Sequence, residues 1–127
     1  MDIIISNSGN QPIYEQITTQ IKNLILSGCI EEGFALPSMR LLAKELRISV
    51  ITTKRAYEEL ERDGFIVSVP GKGSFVAGKN IEIIREEQLK KTEELMQQIV
   101  DSALVYGLEL QELKEMLALL YEEKKHE

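Results

Sequence analysis

The chain has 127 residues, 43% hydrophobic and 28% charged, with one cysteine and a net charge of −6. That length suits one ordinary domain or a small module with an appendage, and the apolar content is too high for a disordered chain. No apolar run approaches the ~18 residues of a membrane helix, residues 1–10 lack the basic start of a signal peptide, and the lone Cys29 cannot staple a fold; a soluble, cytoplasmic protein is expected.

An arm containing Ile3, Ile4 and Ile5 comes first. Pro12 suits a helix start, and Ile13, Ile17, Ile21 and Leu24 then recur on one helical face. Ser27-Gly28 ends that helix, with Cys29 as a small residue beside its end. Residues 30–36 read as a loop. Pro37-Ser38 opens a short second helix that runs to about Arg47-Ile48, with Ser38 as its cap. Ser49 caps a third, whose Thr53, Ala56, Tyr57 and Leu60 share one face until Gly64 stops it. Phe65 to Val69 alternates and is rich in β-formers, residues 70–73 are a turn cluster, and Ser74 to Ala77 is the return strand. Tyr14, Tyr57 and Phe65 occupy apolar positions and are expected in the core.

After Gly78 the composition shifts. Residues 81–105 are strongly acidic, with an apolar stripe of Leu95, Ile99, Ala103 and Tyr106 that Met96, Val100 and Leu104 widen. Gly107 interrupts it, and Leu110, Leu113, Leu117 and Leu120 form the stripe of a last helix. The expected architecture is mainly α with a small β-hairpin. A winged helix-turn-helix spans 1–78, and an antiparallel two-helix arm spans 79–127.

Residues 36–79 hold eight basic and five acidic side chains, and form the only segment with a positive balance. The short joint at Ile48-Ser49 makes the second and third helices cross steeply. The third then projects as a recognition helix, of a diameter that the ~12 Å major groove of B-DNA admits. Its first turn supplies free amides for a phosphate. The turn Gly71-Lys72-Gly73 lets a wing approach a phosphate backbone closely and adds one positive charge.

Four stretches in continuous order, Pro12 to Ile17, Leu36 to Ala43, Ser49 to Leu60, and Asp63 to Ile66 with Gly71 to Val76, resemble the GntR family of bacterial transcriptional regulators. The resemblance covers residues 10–78, and the short tail resembles the YtrA-like subfamily. It implies a homodimer, often controlling operons for ATP-driven transporters. It also implies that Ser38, Arg40, Ser49, Val50, Thr52 and Lys54 lie at DNA-contacting positions, with Arg55 as a helper and Gly71, Lys72 and Gly73 at the wing tip. Many relatives carry Arg and Thr where this chain has Val50 and Ile51. Those apolar side chains cannot make bidentate bonds to guanine and suit thymine methyls instead.

The tail's apolar faces must bury against something. Two-fold pairing would bury Leu95, Ile99, Leu104, Leu110, Leu113, Leu117 and Leu120, and would present two recognition helices to one duplex. The alternative is an intramolecular helical hairpin packed on the first helix. No polar cluster inside the helix pair marks an effector pocket. The only histidine, His126, lies in the charged tail, so neither a histidine-built metal site nor His-based nucleophilic catalysis is expected. No P-loop or dinucleotide fingerprint appears, and neither enzymatic activity nor a cofactor is expected. A homodimeric repressor on a palindromic operator is the leading reading. A winged-helix module that binds protein is the alternative, and steep salt dependence of DNA affinity separates the two.

Overall fold

A computed structural model of the chain describes residues 1–78 and 81–126. It divides into two compact units, Met1–Arg85 and Glu86–Glu127. The elements run α1 (Ile13–Leu26), α2 (Met39–Leu46), α3 (Val50–Arg62), β1 (Ile66–Val69), β2 (Gly73–Val76), α4 (Ile81–Tyr106) and α5 (Leu110–Lys125).

In the first unit, the isoleucine face of α1 lies against α3, and α2 also packs on α3. Ile17 and Ile21 of α1, Leu42 of α2, Leu60 of α3 and Ile66 and Val76 of the strands are buried in one cluster. Each such side chain contributes about 1.5 to 3 kcal/mol relative to remaining in water. Tyr57 and Phe65 are buried as expected, and Tyr14 is half-buried at the rim.

The strands pair antiparallel from Ile66 opposite Val76 to Val69 opposite Gly73. The second strand thus begins one residue before the expected Ser74, because Gly73 pairs with Val69. In the turn, Lys72 N–H donates to the Val69 carbonyl at 2.9 Å, with Pro70 and Gly71 between them. Gly71 has φ 76°, which a type II turn requires at that position and a glycine supplies without strain.

Residues 33–36 are not the free loop expected. Gly33 N–H donates to the Val76 carbonyl, Val76 N–H to the Phe34 carbonyl and Leu36 N–H to the Ser74 carbonyl, and Ala35 bridges Phe75. This short segment lines the otherwise open edge of β2, so both edges of that strand are paired.

The N-terminal arm is tied to α1 by two glutamines. The Gln20 amide accepts from Ile4 N–H and donates to the Ile4 carbonyl. The Gln16 amide accepts from Ser6 N–H and donates to the Ser6 and Gln11 carbonyls. Each amide replaces one residue of a neighbouring strand, and Ile3 and Ile5 pack against the core.

The first unit extends past the expected boundary at residue 78. Ile81 is buried in its core, Ile84 packs on it, and the Arg85 guanidinium donates to the Ile25 carbonyl at 3.3 Å. The first turn of α4 therefore completes the core of the preceding module.

In the second unit, Gly107 has φ 74° and Leu108 N–H reaches back to the Ala103 carbonyl at 2.9 Å. This is the left-handed helix ending that glycine allows. It makes an elbow, in which Ala103 is buried. Beyond it α4 and α5 share little surface. Leu95, Ile99, Leu104, Leu110, Leu117 and Leu120 are all more than half exposed, and Leu113 is partly so.

Candidate nucleic-acid interface

Two serines begin the helix pair in the same way. Ser38 Oγ accepts from Leu41 N–H at 3.1 Å and caps α2. Ser49 Oγ accepts from Ile51 N–H at 3.0 Å and caps α3. A hydroxyl that accepts a cap bond keeps its own proton to donate, and both serines are exposed. Around each cap the other amides of the first turn lack helical partners, which leaves an electropositive end for an anion.

The joint between the helices is a Schellman ending. Arg47 takes the left-handed conformation, φ 57° and ψ 48°. Its N–H donates to the Lys44 carbonyl, and Ile48 N–H donates to the Ala43 carbonyl at 3.0 Å. Arg47 is the only non-glycine residue with positive φ among those described. The turn gives α2 a sharp end, and Ser49 begins α3 within three residues.

Two buried side chains of α3 lock the start of α2 in place. Thr53 is fully buried, and its one hydroxyl proton is shared between the Val50 carbonyl at 2.8 Å and the Met39 carbonyl at 3.1 Å. Tyr57 donates from its hydroxyl to the Pro37 carbonyl at 2.7 Å. Burial, with a smaller contribution from Glu45, pushes the Tyr57 phenol well above its ordinary value, so it stays a donor. These bonds hold Ser38 and Arg40 beside the first two turns of α3.

The outward face follows from that frame. Ser49, Val50, Ile51, Lys54 and Arg55 are exposed on α3, with Thr52 partly so, and Arg40 is exposed on α2. Arg40 makes no ion pair with any described residue, and Lys54 has only a 4.0 Å surface contact with Glu58. At the wing, Gly71, Lys72 and Gly73 are all exposed.

Several features of the face lie outside the sequence patterns. The Arg55 guanidinium stacks 3.8 Å from the centre of the Tyr14 ring. Stacking uses the flat face of the guanidinium and leaves its N–H edge free to donate. Burial pushes the Tyr14 phenol up more than Arg55 pulls it down. Two acidic side chains at the far end of α3 are also paired. Glu61 accepts from the Ser68 N–H and hydroxyl, and Asp63 pairs with Lys22 at 2.9 Å. Such pairs carry no sequence signature, because they join positions far apart in the chain. Among the described residues no group of His, Cys, Asp and Glu could hold a metal ion.

Residues 13–76 match the bacterial regulatory proteins of the gntR family. The chain belongs to the GntR family. Its similarity continues through the arm: it is 35% identical over 115 residues to the HTH-type transcriptional repressor YtrA of Bacillus subtilis (strain 168), covering 91% of this chain and 88% of that one. A GntR family transcriptional regulator from Listeria monocytogenes superposes with a TM-score of 0.67 at 29% identity, covering 90% of this chain and 97% of its own. The AraR DNA-binding domain, solved in complex with operator ORX1, matches 61% of this chain and 96% of its own with a TM-score of 0.54 at 26% identity. Members of the family are transcriptional regulators, not enzymes, and this chain is a winged helix-turn-helix DNA-binding regulator. No described helix is long and apolar enough to cross a membrane.

Proposed function

We propose that the protein is a cytoplasmic, homodimeric repressor that occupies a palindromic operator. In this reading Ser38, Arg40, Ser49, Thr52, Lys54 and Arg55 enter or flank the major groove, Val50 contributes an apolar contact, and Gly71, Lys72 and Gly73 bring the wing to the phosphate backbone. The observation that carries the reading is the outward first turn of α3, presented beside the capped start of α2 with Arg40 and Lys54 exposed. Hydroxyl donors and cations there suit phosphate oxygens, and the two helices suit a groove and its edge.

The uncovered apolar face of α4 and α5 supports dimerisation. Its leucines have no partner surface within their own unit, and a second copy is the simplest cover. Two protomers then meet half-sites about 34–36 Å apart or a small multiple of that. Repression follows from occupancy of a promoter. The similarity to a repressor through the arm supports repression, and the resemblance to the YtrA-like subfamily implies a transporter operon as the target.

Fluorescence anisotropy tests this with the DNA upstream of the protein's own gene and a scrambled duplex of equal length, each at several salt concentrations. Tight binding to the native duplex is expected, with affinity falling steeply as salt rises, by ~0.9 in log-log slope for each phosphate contacted. Arg40→Ala and Lys54→Ala each weaken it and flatten the slope by about one per cation removed. Equal weak binding to both duplexes, unchanged in the variants, would count against this operator and this face.

A further inference from the structure

Where most of the outward face is polar, the first turn of α3 opens with hydrocarbon. Ile51 is 80% exposed and Val50 44% exposed, immediately after the Ser49 cap. Neither side chain supports the core, which α3 reaches through Thr53, Ala56, Tyr57 and Leu60. Both are β-branched, so each has little rotamer freedom to lose when it meets a surface. Polar or charged side chains follow at Thr52, Lys54 and Arg55.

We infer that Val50 and Ile51 form a methyl-reading tip, which selects thymine in each half-site through its C5-methyl group and rejects guanine at the same position. This rests on the operator-binding reading above and specifies what that site recognises. The chemistry of the major-groove edges leads there. Guanine presents two acceptors, N7 and O6, and adenine and cytosine each present an amino donor. Covering any of these with an isoleucine removes water and returns no partner, which leaves a buried polar group unsatisfied. Thymine alone offers an apolar group at the groove edge, and its O4 acceptor lies beside it for a donor such as the Thr52 hydroxyl. Selection therefore has two parts: burial of one methyl against the tip, and a penalty for each base whose polar edge the tip would cover.

Thymine and uracil differ only in that methyl, so the two bases isolate the first part. The operator is first enriched from a random duplex library with the full-length protein, and its half-site is then rebuilt with uracil at one thymine at a time. For the wild-type protein, uracil at one or two positions per half-site is expected to weaken binding about fourfold each, the effect of one buried methyl. In Ile51→Ala the same replacement is expected to change affinity less than twofold, and selection is expected to lose its thymine preference there. Ile51 is exposed, so the variant should keep its fold, and an unchanged melting temperature verifies that. An enriched operator with guanine at the positions that Ile51→Ala affects would overturn the inference and leave operator binding intact, as would equal affinity for the thymine and uracil duplexes. A library that enriches no sequence overturns both together.

Discussion

At the scale of single residues, Arg47 and Tyr57 show how the helix pair is held at some cost. Arg47 occupies a left-handed conformation, φ 57°, that costs a residue with a Cβ about 1 to 2 kcal/mol. Glycine avoids that cost and loses part of the advantage through its freer unfolded chain. Arg47→Gly is therefore expected to stabilise the protein by about 0.5 to 1 kcal/mol in urea denaturation. Unchanged or lower stability would mean that the arginine side chain contributes a compensating contact. Tyr57 makes a pH-dependent contribution. Its phenol titrates higher in the folded protein than in the unfolded chain, because burial disfavours the phenolate. The stability linked to it is fully present below the ordinary tyrosine value of about 10 and is lost as pH rises above that. Tyr57→Phe removes the bond to Pro37 and is expected to cost about 1 kcal/mol at neutral pH. Between pH 10 and 11.5 the wild type should lose stability that the variant does not, so the two denaturation midpoints converge. Midpoints that stay parallel over that range would show that Tyr57 does not govern the alkaline limb.

At the scale of elements, the helix caps serve two ends that one substitution can separate. Ser49 accepts from Ile51 N–H, and Ser49→Ala is expected to cost about 1 kcal/mol of stability. Ser49→Asp restores a good cap and favours the helix dipole, so stability should stay within about 0.5 kcal/mol of wild type. The carboxylate would nevertheless face the phosphates, and operator affinity should fall at least tenfold in anisotropy at moderate salt. If Ser49→Asp binds operator as wild type does, the first turn of α3 is not the surface that meets DNA. These caps, with the periodicity of α1 to α3 and the Pro-Gly turn of the hairpin, were legible in the sequence because each depends on neighbours within four residues. The edge segment at 33–36 was not legible: it has no alternation of its own and exists only because β2 offers unpaired groups to Gly33 and Leu36. Gln16 and Gln20 have no local signal for their role, because their amides hold an arm ten and sixteen residues away. The residue types of the proposed interface come from equally local patterns, while the Tyr14–Arg55 stack beside them depends on α1 meeting α3.

At the scale of the whole molecule, dimerisation decides whether the two units form one regulator. The second unit has an apolar stripe on each helix and no core large enough to hide either, since Ala103 alone among its described residues is buried. Such a surface raises the free energy of an isolated protomer, and in the proposed dimer a second copy would relieve it. Apparent stability then depends on protein concentration by mass action. The melting temperature of the wild type should therefore rise over a hundredfold range of concentration, and sedimentation should give twice the protomer mass at micromolar levels. Leu117→Glu combined with Leu120→Glu tests the same face. Both residues are more than half exposed in the protomer, so no protomer core is lost. The double variant is expected to sediment as a protomer and to melt at a temperature independent of concentration. Its DNA-binding module is unaltered, so binding to a single half-site should remain. Affinity for the full operator should drop by about a hundredfold or more, because the second half-site is no longer met at the high effective concentration that a linked partner provides. A double variant that binds the full operator as tightly as wild type would show that each protomer acts alone, and the apolar faces of α4 and α5 would then need a partner of another kind.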